Sequence, residues 1–155
     1  MTVNITFEPA TPADASALVE AQIRAFHDDA RLYPGVEIGG PPGYDSIEEM
    51  LKDIDKYVCH KIGCDGRIVG GIIVVDLGEG HFHLDRLYID PDYHNQGIGS
   101  QAIGFIEQAY AATSWTLDTP TYAVRNQHFY EKFGYIKGDE RQADGIRLIR
   151  YEKHQ

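Results

Sequence analysis

Leu84-Asp85-Arg86-Leu87-Tyr88-Ile89-Asp90-Pro91-Asp92-Tyr93-His94-Asn95-Gln96-Gly97-Ile98-Gly99-Ser100 decides the fold. Leu84 to Ile89 is an alternating run whose Leu, Tyr and Ile content suits a strand near the middle of a sheet. Asp90-Pro91-Asp92-Tyr93 ends it, because proline removes an amide donor and the Asp residues favour a turn. After the glycines, Ile103, Phe105, Ile106, Ala109 and Tyr110 recur at helical spacing. A glycine-bearing turn that opens a helix leaves several backbone N–H groups without partners and puts no Cβ in front of them. That makes it a receptor for phosphate.

Upstream, Val3 to Glu8 alternates as a short first strand, and Thr11-Pro12-Ala13-Asp14 signals a helix start, with Thr as N-cap, proline at the first position and an acid in the first turn. That helix runs through Leu18, Ile23 and Phe26. From His27 to Tyr44 the periodicity fails in a long loop rich in Gly and Pro, of the kind that often binds or covers ligands. Ser46-Ile47-Glu48-Glu49 is a capping box that starts a second helix, ending near Lys56. Tyr57–Cys64 and Ile68–Val75 read as a hairpin around Asp65-Gly66, and Gly70-Gly71 inside the second strand implies a bulge or a close backbone approach. Leu77-Gly78-Glu79-Gly80 then turns the chain into His81–Ile89.

Downstream, Trp115–Thr119 is a short strand, Asn126–Phe133 a helix closed by Gly134, and Tyr135–Asp139 with Ile146–Glu152 a final antiparallel pair. The order is β-α-α-β-β-β-α-β-α-β-β. This is an α/β (α+β) chain with a mixed sheet and helices packed on it, expected to form one domain over residues 1–155.

The glycine turn admits a dinucleotide reading, since Gly97-x-Gly99-x-x-Ala102 fits the loose fingerprint and Asp118 lies about 20 residues on. That fingerprint needs the strand to feed straight into the glycines, whereas Asp90 to Gln96 intervene here. It also needs repeated βαβ units, and only one follows.

Leu84 to Ser100 resembles the acyl-CoA signature of the GNAT superfamily of N-acetyltransferases: a strand ending in Val/Ile-x-Pro, then Arg/Gln-x-x-Gly-x-Gly/Ala, then a helix. Phe129-Tyr130-Glu131-Lys132-Phe133-Gly134-Tyr135 is similar to the family's second motif, and the element order matches along nearly the whole chain. The resemblance implies that the sheet splays beside the central strand and that the backbone of Leu87, Tyr88 and Ile89 pairs with the pantetheine arm of acetyl-CoA. The pyrophosphate would rest on N–H groups around His94, Asn95, Gln96, Gly97, Ile98, Gly99 and Ser100. Two positions depart from the pattern. His94 stands where Arg or Gln is usual. Ala123 stands where an Asn is frequent, and Asn126, one helical turn later, is the candidate to replace it.

The resemblance places Tyr130 as the general acid that protonates the leaving thiolate; a phenol stays protonated until then. His83 falls near the place where some members hold a glutamate base, and Asp85 shares its face unless a bulge intervenes. The base stays open among His83, Asp85, Asp118 and a water, and each side chain also admits a structural hydrogen-bonding role. Tyr33, Tyr44, Tyr122, Asp28, Asp29 and Glu37 are candidates for the acceptor pocket.

The net charge of −10 and pI near 5.0 disfavour nucleic acid or an anionic membrane as partner and suit a cationic amine. No apolar run approaches the ~20 residues of a membrane span, and no signal peptide is legible at the N-terminus. Cys59 and Cys64 make no disulfide framework, so a cytoplasmic setting is expected. The spacing of Cys59, His60, Cys64, His81 and His83 fits no zinc pattern, and no metal is expected. The expected activity is transfer of acetyl from acetyl-CoA to a primary amine, on a small molecule or a peptide, by direct attack. The other reading is a non-catalytic acyl-CoA-binding or sensing domain. The family often forms homodimers, though no stretch here marks an interface.

Overall fold

Two successive hairpins and a first strand that returns to their edge lay down the first half of the sheet. The computed structural model describes residues 4–155, so Val3, the expected start of the first strand, lies outside the described residues. β1 (Ile5–Pro9), β2 (Val58–Cys64), β3 (Arg67–Asp76) and β4 (His81–Ile89) pair antiparallel in succession. The β2–β3 turn is Asp65-Gly66, with φ of 51° and 84°, the left-handed pair whose twist matches the strands it joins. α4 (Ile98–Ala109) carries the chain to β5 (Ser114–Pro120), which pairs parallel with β4. After α5 (Val124–Lys132), β6 (Ile136–Ala143) and β7 (Ile146–His154) complete the order β1-β2-β3-β4-β5-β7-β6. β4 is thus the middle strand of seven. With one parallel pair in an otherwise antiparallel sheet, the repeated βαβ units of the dinucleotide reading are absent among the described residues.

The helices divide between the two faces. Ile98, Ala102, Ile103 and Ile106 of α4 bury against Ile72, Val74, Leu84, Trp115 and Tyr151, and Phe129 and Tyr130 of α5, with Phe133 just after it, pack on the same cluster. On the opposite face α1 (Ala15–His27) and α3 (Ile47–Lys56) enclose a second cluster, in which Leu18, Val19 and Met50 meet Tyr88. The capping box of α3 is half formed: Glu49 N–H donates to Ser46 Oγ at 3.1 Å. At the entry to α1 the acid does the capping. The Asp14 carboxylate accepts the Thr11 N–H at 2.8 Å and its hydroxyl at 3.1 Å, and Pro12–Asp14 forms a 3₁₀ turn before the α-helix.

Three local features differ from the sequence reading. The loop after α1 contains a single turn of helix, α2 (Asp29–Leu32), too short to register as a 3.6-residue periodicity. β6 extends to Ala143, past the expected Asp139, because β7 offers it a partner up to the Asp144-Gly145 turn. β4, finally, does not alternate throughout. Ile73 pairs with Arg86 and Val74 with Leu84, which leaves Asp85 as a bulged residue. The bulge switches parity: Phe82 and Leu84 before it, and Leu87 and Ile89 after it, all face the α4 side, whereas Tyr88 faces α1 and α3.

Gly70 and Gly71 make the close approach expected of them. A Cβ on Gly70 would stand 2.2 Å from the Tyr88 carbonyl oxygen, and one on Gly71 2.3 Å from the Tyr88 hydroxyl, so the Tyr88 ring lies flat across the strand. Cys59 and Cys64 are free and buried, and burial pushes the Cys59 thiol up to about 12. Among the described residues no helix is long and apolar enough to cross a membrane.

Candidate functional site

β4 and β5 share three rungs, His81–Ser114, Phe82–Trp115 and His83–Thr116, and then part. Beyond the fork, the edge of β4 that faces β5 runs from Leu84 to Ile89 without a strand partner. Each side of the fork is held on its own: β4 by β3, and β5 along its full length by β7. The gap is therefore built into the sheet. An edge of this kind, ending at a helix N-terminus, can accept an extended chain.

The turn after β4 is fixed from two directions. Asp90 is buried; one carboxylate oxygen accepts the Asp92 N–H at 3.0 Å and the other the Nε of Arg24 from α1 at 2.9 Å. Arg24 also reaches Asp92 at 2.7 Å. Asn95 and Gly97 take left-handed backbones with φ of 64° and 76°, and Gly97 is the N-cap of α4. Asn tolerates that region and Gly prefers it. Gly99 meets a different need: a Cβ there would lie 3.2 Å from the Phe129 ring, so its absence lets α5 close on the start of α4. No backbone acceptor is found among the described residues for the N–H groups of residues 95 to 100. A run of free amides at a helix start is an anion receptor.

His94 acts otherwise than a long cation at that position would. Its Nε2 lies 2.9 Å from the Ile89 carbonyl, which can only accept, so Nε2 carries the proton and the ring ties the turn back to the strand end.

The free edge and the turn meet in one cavity of about 580 Å³. Leu87, Tyr88 and Ile89 line it from the strand; His94, Asn95, Gly97, Ile98, Gly99 and Ser100 line it from the turn; and Asn126 and Tyr130 line it from α5. Gln96 stays exposed outside this wall. The Tyr130 hydroxyl has no hydrogen-bond partner among the described side chains, and burial raises its pKa, so it stays protonated at neutral pH. Asn126 bonds Thr119 Oγ1 at 3.4 Å. The sequence reading passed over Arg125 and Lys132, two cations that also line this cavity. Their spacing with Phe129, i, i+4 and i+7, puts all three on one helix face, and that spacing was the available signal.

A second cavity, of about 720 Å³, opens on the other side of the fork. His83, Asp85, Arg86 and Asp118 line it from the sheet, Asp29 from the start of α2, and Glu37 and Tyr122 from the loops. His83 occupies the last rung, Nδ1 2.7 Å from Thr116 Oγ1 and Nε2 3.9 Å from Asp118. Burial holds His83 below the ordinary histidine value, with Asp118 opposing. Burial also works against the charge of Asp118, but bonds from Arg150 (2.9 and 3.2 Å) and Arg141 (2.9 Å) outweigh it and keep that carboxyl low. Asp85, displaced by the bulge, is exposed and 3.5 Å from Arg86.

Of the expected acceptor-pocket residues, Tyr122, Asp29 and Glu37 reach this cavity, while Tyr33 lines the other and stacks edge-on against Tyr122 at 5.4 Å. Asp28 is engaged by Arg31 at 2.7 Å and Tyr44 by His27 at 2.6 Å. Tyr130 therefore stands in one cavity, and His83 and Asp85 in the other.

The chain matches the family described as Acetyltransferase (GNAT) domain over residues 55–137, the span that holds β4, the glycine turn and Tyr130. It is 24% identical to the S-(2-succino)cysteine N-acetyltransferase of Bacillus subtilis over 157 aligned positions, covering 94% of this chain and 93% of that one. It is 36% identical over 96 residues to YrkN of the same organism, an uncharacterized protein; that match covers 61% of this chain and about half (51%) of YrkN. The PaiA N-acetyltransferase of Thermoplasma acidophilum, solved in complex with coenzyme A, superposes with a TM-score of 0.77 at 18% identity, over 98% of this chain and 99% of that one.

Proposed function

The chain belongs to the GNAT acetyltransferases, and from that footing we propose that it moves the acetyl group of acetyl-CoA directly onto a primary amine, as a single domain over residues 1–155. The observation that carries this reading is the coincidence, in one cavity, of an unpaired β4 edge, a turn of free N–H groups and the unpartnered phenol of Tyr130. The pantetheine amides pair with the backbone of Leu87 to Ile89. The pyrophosphate lies on the amides of residues 95 to 100, and Arg125 and Lys132, which line the same cavity, offset its charge. Asn126 stands where it can orient the thioester end of the arm.

In the reaction the amine nitrogen attacks the thioester carbon, the C–S bond breaks with its electron pair on sulfur, and Tyr130 gives that sulfur a proton. The amine's own proton leaves through the acceptor cavity, whose titratable wall includes His83 and Asp85. Burial disfavours the charged form of His83, which weakens it as the acceptor of that proton.

For the acceptor we favour an amino-acid-like amine. Asp29, Glu37 and Asp85 offer carboxylates to an ammonium, and Arg86 and Arg141 offer guanidiniums to a carboxylate. The acceptor named for the Bacillus subtilis relative is itself a substituted cysteine, which agrees with that choice. Calorimetric titration with acetyl-CoA, with NADH as control, tests the donor half. Binding of acetyl-CoA alone is expected, and a preference for NADH would overturn the reading. A following screen of free amino acids, polyamines and aminoglycosides, read as thiol release, tests the acceptor half.

A further inference from the structure

We infer that Asp29 is the general base of the transfer: its carboxylate removes the proton from the incoming ammonium at the point where the two cavities meet. This rests on the acetyl-transfer reading above. The amine must approach from the cavity beyond the fork and meet the thioester held in the other, so the reacting nitrogen passes the residues common to both. Those residues are Phe26, Asp29 and Asn126. Phe26 and Asn126 do not titrate, which leaves Asp29 as the only group there able to take a proton. His83 and Asp85 line the acceptor cavity alone.

The surroundings of Asp29 suit that task. Its Oδ2 accepts a hydrogen bond from the Tyr122 hydroxyl at 3.2 Å, which orients the carboxylate, and no ion pair with Lys or Arg engages it among the described residues. The neighbouring cation, Arg31, is taken by Asp28. The other groups facing it are Asp28 on its own turn, His94 from the glycine turn, and Tyr33 and Tyr122, the last raised to about 12 by burial and by Asp29 itself. Burial outweighs the Tyr122 bond and raises the Asp29 carboxyl above the ordinary range, which strengthens it as a base.

The protons and electrons balance without a further reagent. An ammonium N–H bond breaks, its pair remaining on nitrogen and its proton going to Asp29. The nitrogen then forms the N–C bond as the carbonyl pair moves to oxygen. When that pair returns, the C–S bond breaks and sulfur takes the Tyr130 proton. The second nitrogen proton restores the phenol, and Asp29 releases its proton to water.

The test uses two generic acceptors with acetyl-CoA, each corrected for the enzyme-free rate. Methylamine is an ammonium at neutral pH and needs a base, whereas hydroxylamine is largely neutral and does not. In Asp29→Asn, which keeps the size and an oxygen for Tyr122, methylamine transfer is expected to fall about 10²-fold while hydroxylamine transfer changes less than about threefold. Raising the pH should restore methylamine transfer in the variant, because free amine accumulates. Tyr122→Phe, which removes the hydrogen bond and leaves the carboxylate, should lose less than about tenfold with methylamine. Equal loss with both amines, or no loss with either, overturns Asp29 as the base. Wild-type protein that binds acetyl-CoA but transfers to neither amine overturns the transferase reading and Asp29 with it.

Discussion

His83 Nδ1 and Thr116 Oγ1 stand 2.7 Å apart across the last rung before β4 and β5 separate, so one hydrogen bond marks the vertex from which both cavities open. Burial disfavours the charge of a histidine held there.

That burial gives the stability a pH dependence. The folded pKa of His83 is lowered, as is that of the buried His60. Below the unfolded value of ~6.5 the unfolded chain binds more protons than the folded one. Stability from this source is complete above that pH and is lost as pH falls toward the folded values, by at most about 1.4 kcal/mol per pH unit per histidine. His83→Gln keeps a hydrogen-bonding group for Thr116 and removes one share; His60 keeps the other. Urea midpoints at about pH 7.5 and about pH 5 should therefore differ more in the wild type than in the variant. Identical differences would mean that His83 is not held neutral.

Tyr130→Phe removes a hydroxyl that has no hydrogen-bond partner among the described side chains, so folding and acetyl-CoA affinity should be close to those of the wild type. Turnover should fall about 10²-fold or more if that hydroxyl protonates the leaving thiolate. Calorimetry and thiol release separate the two effects, and full turnover with normal binding would sink the assigned role.

The two glycines of the turn should respond differently to alanine. At Gly97 nothing lies within 4 Å of a new Cβ, but φ is 76°, so Gly97→Ala costs about 1–2 kcal/mol of backbone strain and weakens acetyl-CoA binding by distorting the free amides. At Gly99 the backbone is ordinary helix and the Cβ meets Phe129 at 3.2 Å. The helix-propensity gain of about 1 kcal/mol offsets the displaced ring, so Gly99→Ala leaves stability nearly unchanged. Chemical denaturation of both variants checks the contrast, and equal losses would contradict it.

The stretch from β4 through the glycine turn into α4 was legible because each signal in it is local: strand composition, a proline, left-handed residues, then a 3.6-residue period. The hairpin at Asp65-Gly66 and the cap at Ser46 were readable for the same reason. The bulge at Asp85 was not, because it exists only in the register that β3 imposes, and no property of Asp85 itself announces it. In sequence, His94 is legible only as a departure from the usual Arg or Gln. Its bond to Ile89 depends on a fold-back of the turn that no pattern encodes. Asp29 was legible only as one of six acceptor-pocket candidates, in a loop whose period fails; its place between two cavities follows from α2 and from Tyr122, 93 residues further along.

The sheet order has a consequence for how the molecule comes to be built. β7, the last strand in the chain, lies between β5 and β6, so β5 remains an open edge until β7 is in place. The acetyl-CoA side draws its strand, turn and helix from one continuous stretch and can take shape while the polypeptide is still emerging. The acceptor side waits for Arg150 to reach Asp118 across 32 residues. A chain interrupted before β7 would carry a nearly finished donor groove beside a bare strand edge, a template for pairing with its neighbours.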